Sequence, residues 1–262
     1  MRKRIVIGDI HGRLDTFRRI YETEDPDDVI LLGDYVDSRV VSPEDSVQCY
    51  WSIKDMRTEH IMSGRGEFVM LVGNHEWHYI NNCEQYTGKN THTMISLSPE
   101  LSESFHTYKD LKVCYVDRIN HTIYSHAGVS NTWYDTWIGK DVTDDPEAIN
   151  EVNTRGLDFA ERCNDIYGDS VHSGPLFIRP RSLMQDLFTD KTGLFWVQIV
   201  GHTHSASPIV TDVYGNDVTN DPSRFASGIL HLIDCIESAY IVETINDDGF
   251  IVERKLVRTR HD

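Results

Sequence analysis

Basic residues are scarce in this chain: 25 lysines and arginines face 42 aspartates and glutamates, for a formal net charge of −17. A surface so acidic repels a phosphate backbone on average, which excludes broad nucleic-acid binding. Long apolar runs are missing, and with them any helix able to span a bilayer, so no membrane partner is expected. The five cysteines, Cys49, Cys83, Cys114, Cys163 and Cys235, are scattered and form no CxxC pair. They read as reduced, mostly buried thiols of a cytoplasmic protein, not as a disulfide framework. Internal repeats and low-complexity tracts are lacking too. The basic opening Met1-Arg2-Lys3-Arg4 meets only three apolar residues before Gly8-Asp9. It reads as the approach to a first strand and not as a secretory leader.

What the chain does have is enough apolar residues for a real core, 39% of 262. That length suits one α/β domain over 1–262 with sizeable insertions. Short β-rich runs recur, each ending in a polar cluster: Arg4–Ile7, Val29–Leu32, Phe68–Val72, Thr122–Tyr124 and Val197–Val200. Continuous runs of this kind predict strands buried on both faces. Between the first two, Leu14, Phe17, Ile20 and Tyr21 recur at helical spacing and complete a βαβ unit. Ligands bind at the carboxyl ends of such strands. A second helix is expected over Ser42–Met56, with Ser42 as cap and Pro43 at its first position. The stretch 77–112 is expected to cap the site, and 131–194 to form a longer insertion whose acidic run, Asp141–Glu147, is a solvated loop. Three strands should close the chain, Ile229–Ile233, Ala239–Ile245 and Phe250–Val257, the last two turning at Asp247-Asp248-Gly249.

The chemistry lies in the polar clusters Gly8-Asp9-Ile10-His11-Gly12, Gly33-Asp34-Tyr35-Val36-Asp37, Gly73-Asn74-His75-Glu76, Ser125-His126-Ala127-Gly128 and Gly201-His202-Thr203-His204. Carboxylates, imidazoles and one amide mix borderline nitrogen with hard oxygen, a set that suits Mn, Fe, Zn or Co. One Asp-x-His would be a capped loop. Five such clusters, each after a β-rich run, point to a metal site.

In this order the clusters resemble the motifs of calcineurin-like metallophosphatases, from residue 8 to residue 204. The resemblance implies a two-sheet β-sandwich flanked by helices, an α/β fold with a dinuclear metal site at the strand ends. It implies two divalent transition-metal ions, Mn first and Fe, Zn, Ni or Co as alternatives. By the same resemblance Asp9, His11 and His204 hold one ion, Asn74, His126 and His202 the other, and Asp34 bridges them. Two divalent ions less two aspartates leave roughly +2 at the site, enough to draw a phosphate to an acidic protein. The implied reaction is in-line attack on phosphorus by a water that the ions activate. His75 is then the acid that protonates the leaving alkoxide, and Asp37 the carboxylate that orients it.

The chain departs from the protein-phosphatase pattern at Ser38-Arg39, where an arginine would directly follow Asp37. The phosphate clamp is therefore replaced or displaced, and Arg39 and Arg179 are the candidates. Trp77, His78 and Tyr79 read as helix packing that could line the pocket, and Asp234 as the end of a core strand. The expected activity is hydrolysis of a phosphomonoester, carried by a phosphorylated small molecule, nucleotide or phosphoprotein. The alternatives are a nucleotide phosphodiesterase or dinucleoside polyphosphate hydrolase, and a catalytically silent metal-binding scaffold.

Overall fold

A computed structural model of the protein describes residues 1–80, 101, 103–105, 111–138, 148–150, 167–225, 227–234 and 236–259. The first apolar run forms β1 (Arg2–Ile7), which leads through α1 (Leu14–Glu24) to β2 (Asp28–Leu31) in parallel register, Ile5 opposite Val29. Helix α2 (Pro43–Met62) then returns the chain to β3 (Phe68–Leu71), also parallel. Ser42 caps α2 as expected, its Oγ accepting from the Asp45 backbone N–H at 3.1 Å. The helix passes the expected end at Met56, because tertiary contacts hold its last turns. Arg57 Nε donates to the Phe68 carbonyl at 2.9 Å, and His60 Nδ1 meets the Tyr21 hydroxyl at 2.8 Å.

Beyond α3 (Asn74–Ile80) come β4 (Leu111–Lys112), β5 (Cys114–Asp117) and β6 (Thr122–Ser125), then β7 (Val197–Val200) and β8 (Ile209–Thr211). The chain closes with β9 (Leu230–Leu232), β10 (Ala239–Ile245) and β11 (Ile251–Arg258). Two mixed sheets result, a six-stranded one in the order β11-β10-β1-β2-β3-β4 and a five-stranded one in the order β5-β6-β7-β9-β8. Most of the expected cap over 77–112, and part of the expected longer insertion over 131–194, the run Asp141–Glu147 included, lie outside the described residues. So do Cys83, Cys163 and Cys235. Cys49 and Cys114 are buried, and burial pushes the Cys49 thiol up to about 12.

Alternation along the central strands divides the core in two. Ile5, Ile7, Val29, Leu31 and Met70 pack with Phe17, Ile20, Tyr50 and Ile53 of the two long helices. Val6, Ile30, Leu32 and Leu71 face the other way and meet Tyr124, Ile199 and Ile233 of the second sheet. The apolar runs of β1, β2 and β3 are thus covered on both sides, which is why they are continuous.

One polar network crosses this inter-sheet layer. Arg4 Nη1 donates to Asp117 Oδ2 at 3.0 Å and to Glu243 Oε2 at 3.2 Å, and Arg254 Nε donates to Glu243 Oε1 at 2.7 Å. The Tyr124 hydroxyl donates to the same carboxylate at 2.7 Å and accepts from Arg4 at 3.2 Å. Glu243 is wholly buried, so each of its bonds replaces lost hydration. Tyr124→Phe should cost about 1–3 kcal/mol, since it leaves buried charge under-bonded without removing the ring. Urea unfolding checks this; a change below about 0.5 kcal/mol would show that the network does not need the hydroxyl.

Candidate metal centre

Parallel pairing puts the loops after β1, β2 and β3 on one rim of the first sheet. The loops after β6 and β7, parallel in the second sheet, meet them there. Backbone bonds knit the rim together: the His11 N–H donates to the Asp34 carbonyl at 2.8 Å, and the Gly201 N–H to the His126 carbonyl at 2.8 Å. The His202 N–H donates to the Asp9 carboxylate at 3.0 Å, joining loops 193 residues apart. Four candidate residues sit in the left-handed region, His11 at φ 46, Asp34 at 52, Asp37 at 60 and His202 at 63. Such backbone costs about 1–3 kcal/mol per residue and concentrates where side chains must be aimed.

Two glycines of the clusters are there for space. A Cβ on Gly73 would overlap the Asp34 carboxylate, and one on Gly201 the Asp9 carboxylate. Each glycine lets a neighbouring strand end approach a candidate ligand closely.

Protonation is settled by backbone oxygens, which can only accept. His126 Nδ1 lies 2.9 Å from the Leu32 carbonyl, and His202 Nε2 lies 3.1 Å from the Phe177 carbonyl. Each ring therefore keeps its hydrogen on that side. Burial lowers the affinity of both rings for a second proton, so each presents a bare nitrogen on its other side. Those nitrogens, His126 Nε2 and His202 Nδ1, both lie 2.9 Å from Asn74 Oδ1. Three acceptor atoms in contact repel one another unless a cation joins them, and the set fits a divalent ion of borderline hardness.

His11 is held in the same way, its Nδ1 at 2.8 Å from the Val36 carbonyl and its Nε2 turned to Asp34 Oδ2 at 3.6 Å. That oxygen also lies 3.5 Å from His126 Nε2. Two groups of potential ligand atoms, each within 4.8 Å, share Asp34: His11, Asp34 and His75, and Asp9, Asp34 and His126. Burial, then the charges of Asp234 and Asp34, push the Asp9 carboxyl well above its usual range. Crowded anions of this kind are what bound cations relieve.

A cavity of about 1120 Å³ opens over this rim, lined by Asp9, His11, Asp34, Asn74, His202 and His204, with His126 buried close by. His204 is exposed there and belongs to neither tight group. His75, Asp37, Arg39 and Arg179 line the same cavity. His75 Nδ1 lies 2.9 Å from Asp37 Oδ2, and its Nε2 lies 3.8 Å from Asp34 Oδ2. Burial lowers its affinity for a proton, but Asp34 and then Asp37 outweigh that and raise it to about 9.

The Ser38-Arg39 departure has a structural counterpart. Ser38 is buried, and its Oγ accepts from the backbone N–H groups of Val40 and Val41 at 3.2 and 2.9 Å. Arg39 is exposed at the cavity wall. Arg179, which lines the same cavity, is tethered, Nη1 to Thr203 Oγ1 at 3.2 Å and Nε to the Tyr167 carbonyl at 3.3 Å.

Three residues matter here that the sequence analysis did not count among the metal ligands or catalytic groups. Glu76, wholly buried, accepts from the backbone N–H groups of Asp34 at 2.8 Å, Tyr35 at 2.9 Å and Gly73 at 2.9 Å. It thereby shapes the Asp34 loop, and its place beside His75 was the available signal. Asp234 lines the cavity and carries charge against Asp9; a polar residue ending an apolar run was its signal. Tyr79 donates its hydroxyl to Asp37 Oδ1 at 2.8 Å, which helical spacing from His75 could have suggested. Trp77 and His78 are buried against Phe177, as packing residues would be.

A family model described as calcineurin-like phosphoesterase matches residues 3–206. Among solved structures, a protein serine/threonine phosphatase from Saccharomyces cerevisiae with similarity to human phosphatase PP5 is 13% identical. It aligns over 99% of this chain and 80% of its own, with a TM-score of 0.55. A metallophosphoesterase from Sphaerobacter thermophilus is also 13% identical, over 100% of this chain and 89% of its own, with a TM-score of 0.51. At such identity these two speak to the fold alone. No curated protein sequence matches the chain.

Proposed function

Since the chain belongs to the calcineurin-like phosphoesterase family, and is with it a metal-dependent phosphoric ester hydrolase, we propose that its substrate is a phosphomonoester. Asp9, His11 and His204 would hold one divalent ion, Asn74, His126 and His202 the other, and Asp34 both. The observation that carries this reading is the pair of carbonyl-bound imidazoles turning bare nitrogens onto Asn74 Oδ1. When bound, the ions supply Lewis acidity toward water and phosphoryl oxygen. Manganese is the proposed occupant, in keeping with the mixed imidazole and carboxylate donors.

The protein's own residues then have separate tasks. Arg179 and Arg39, both lining the cavity, hold the phosphoryl group by charge-assisted hydrogen bonds. His75 donates a proton from Nε2 to the leaving oxygen, and Asp37 stabilises the imidazolium through Nδ1. Asp37 keeps that role when ions neutralise Asp34, because it bonds the ring directly. A silent scaffold would need the ligands but not this pair. The free, buried Cys49 fits the reducing cytoplasm proposed as its location. Among the described residues no helix is long and apolar enough to cross a membrane.

The test is an assay of manganese-loaded protein on phosphomonoesters, cyclic nucleotides, dinucleoside polyphosphates and phosphopeptides. Monoesters, phosphopeptides among them, are expected to turn over fastest. A higher kcat/KM on cyclic nucleotides or dinucleoside polyphosphates would overturn the monoester reading and leave the family standing.

A further inference from the structure

We propose that Tyr79 is a positioning residue that holds the Asp37 carboxylate, and through it the His75 ring, for proton delivery; this rests on the reading of His75 as the acid. The Tyr79 hydroxyl donates to Asp37 Oδ1 at 2.8 Å, while Asp37 Oδ2 lies 2.9 Å from His75 Nδ1. Hydroxyl, carboxylate and imidazole form one chain of hydrogen bonds. Helix α3 supplies both ends of it, because His75 and Tyr79 stand four residues apart and share a helix face.

The middle member comes from the loop after β2, and it needs holding. Asp37 sits in the left-handed region at φ 60, and its side chain is only 4% exposed. Rotation about Cβ–Cγ is soft in aspartate, so a carboxylate bonded at one oxygen alone can turn. Bonding at both oxygens fixes its plane. With that plane fixed, the Nδ1–H of His75 has one acceptor position, and Nε2 is aimed into the cavity. Tyr79 is itself anchored, 1% exposed with its ring 5.6 Å from that of Phe105. Phenylalanine would satisfy that packing without the cost of burying a hydroxyl. What the hydroxyl adds here is the bond to Asp37.

Tyr79→Phe keeps the ring and removes only the hydroxyl. Metal-loaded variants are assayed on an alkyl phosphate and on nitrophenyl phosphate, whose leaving group needs no proton. The ratio of the two kcat values does not depend on how much of the protein is folded. In Tyr79→Phe the alkyl ester should slow about tenfold relative to the nitrophenyl ester, the size of one hydrogen bond to a charged group. Metal content should stay near that of the unaltered protein. In a His75→Asn background the same substitution should leave the ratio alone, since the far end of the chain is already gone. A ratio shifted by His75→Asn but untouched by Tyr79→Phe overturns the role of Tyr79 and keeps the acid. A further shift in the double variant also overturns it, because Tyr79 would then act apart from His75. A ratio unmoved by His75→Asn removes the acid assignment, and the role of Tyr79 falls with it.

Discussion

Asp34→Asn should remove most of both metal retention and turnover. The residue is shared by both groups of potential ligand atoms, with Oδ2 3.6 Å from His11 Nε2 and 3.5 Å from His126 Nε2. A carboxylate brings two anionic oxygens, so it can serve two ions at once. An amide keeps one weak oxygen donor and places an N–H₂ where the other stood. Without the shared anion the net positive charge of two ions is harder to hold at close range. Bound metal should fall from about two ions per chain to one or fewer, and kcat/KM by at least about 10³-fold, the upper range for losing one electrostatic stabiliser. Elemental analysis and steady-state kinetics measure the two. Exhaustive chelation of the unaltered protein should have the same effect, with Mn²⁺ restoring activity. Full turnover in excess chelator, after time for exchange, would end the dinuclear reading.

His75→Asn should change the enzyme in a different way, by separating substrates according to their leaving groups. An alkoxide from a sugar or serine has a high pKa and needs a proton as the bond breaks, whereas a nitrophenolate leaves without one. General acid catalysis contributes about 10²–10⁴-fold, so alkyl esters should slow by that order and nitrophenyl esters visibly less. Metal content should stay near normal, since the Asn74 contacts with His126 and His202 do not involve the His75 ring. Asp37→Asn should show the same pattern more mildly, weakening the imidazolium without deleting it. If both ester classes fell equally and metal were lost, His75 would be supporting the metal site instead, as its place beside His11 and Asp34 allows.

Much of the architecture could be read from residue order. Five β-rich runs ending in glycine or serine and polar residues mark strands whose carboxyl ends carry chemistry, and all five are strands in the two sheets. Ser42 and Pro43 marked the start of α2 because a cap and a first-turn proline act locally. The end of that helix was not legible, since Arg57 and His60 are held by Phe68 and Tyr21 and not by their own periodicity.

Residue identity by itself therefore determined the donor types, their order along the chain and the β-rich segments that carry them. Only the tertiary structure decided which ring nitrogen keeps its hydrogen, because the deciding atoms are the carbonyls of Leu32, Val36 and Phe177. Every residue has such a carbonyl, so its use leaves no mark in the sequence. The same holds for Glu76 at three backbone N–H groups, for Tyr79 at Asp37, and for His202 against Asp9 from 193 residues away. Those contacts arise when two sheets pack and bring strand ends together. Packing of that kind follows from the whole apolar pattern at once, not from any local stretch of it.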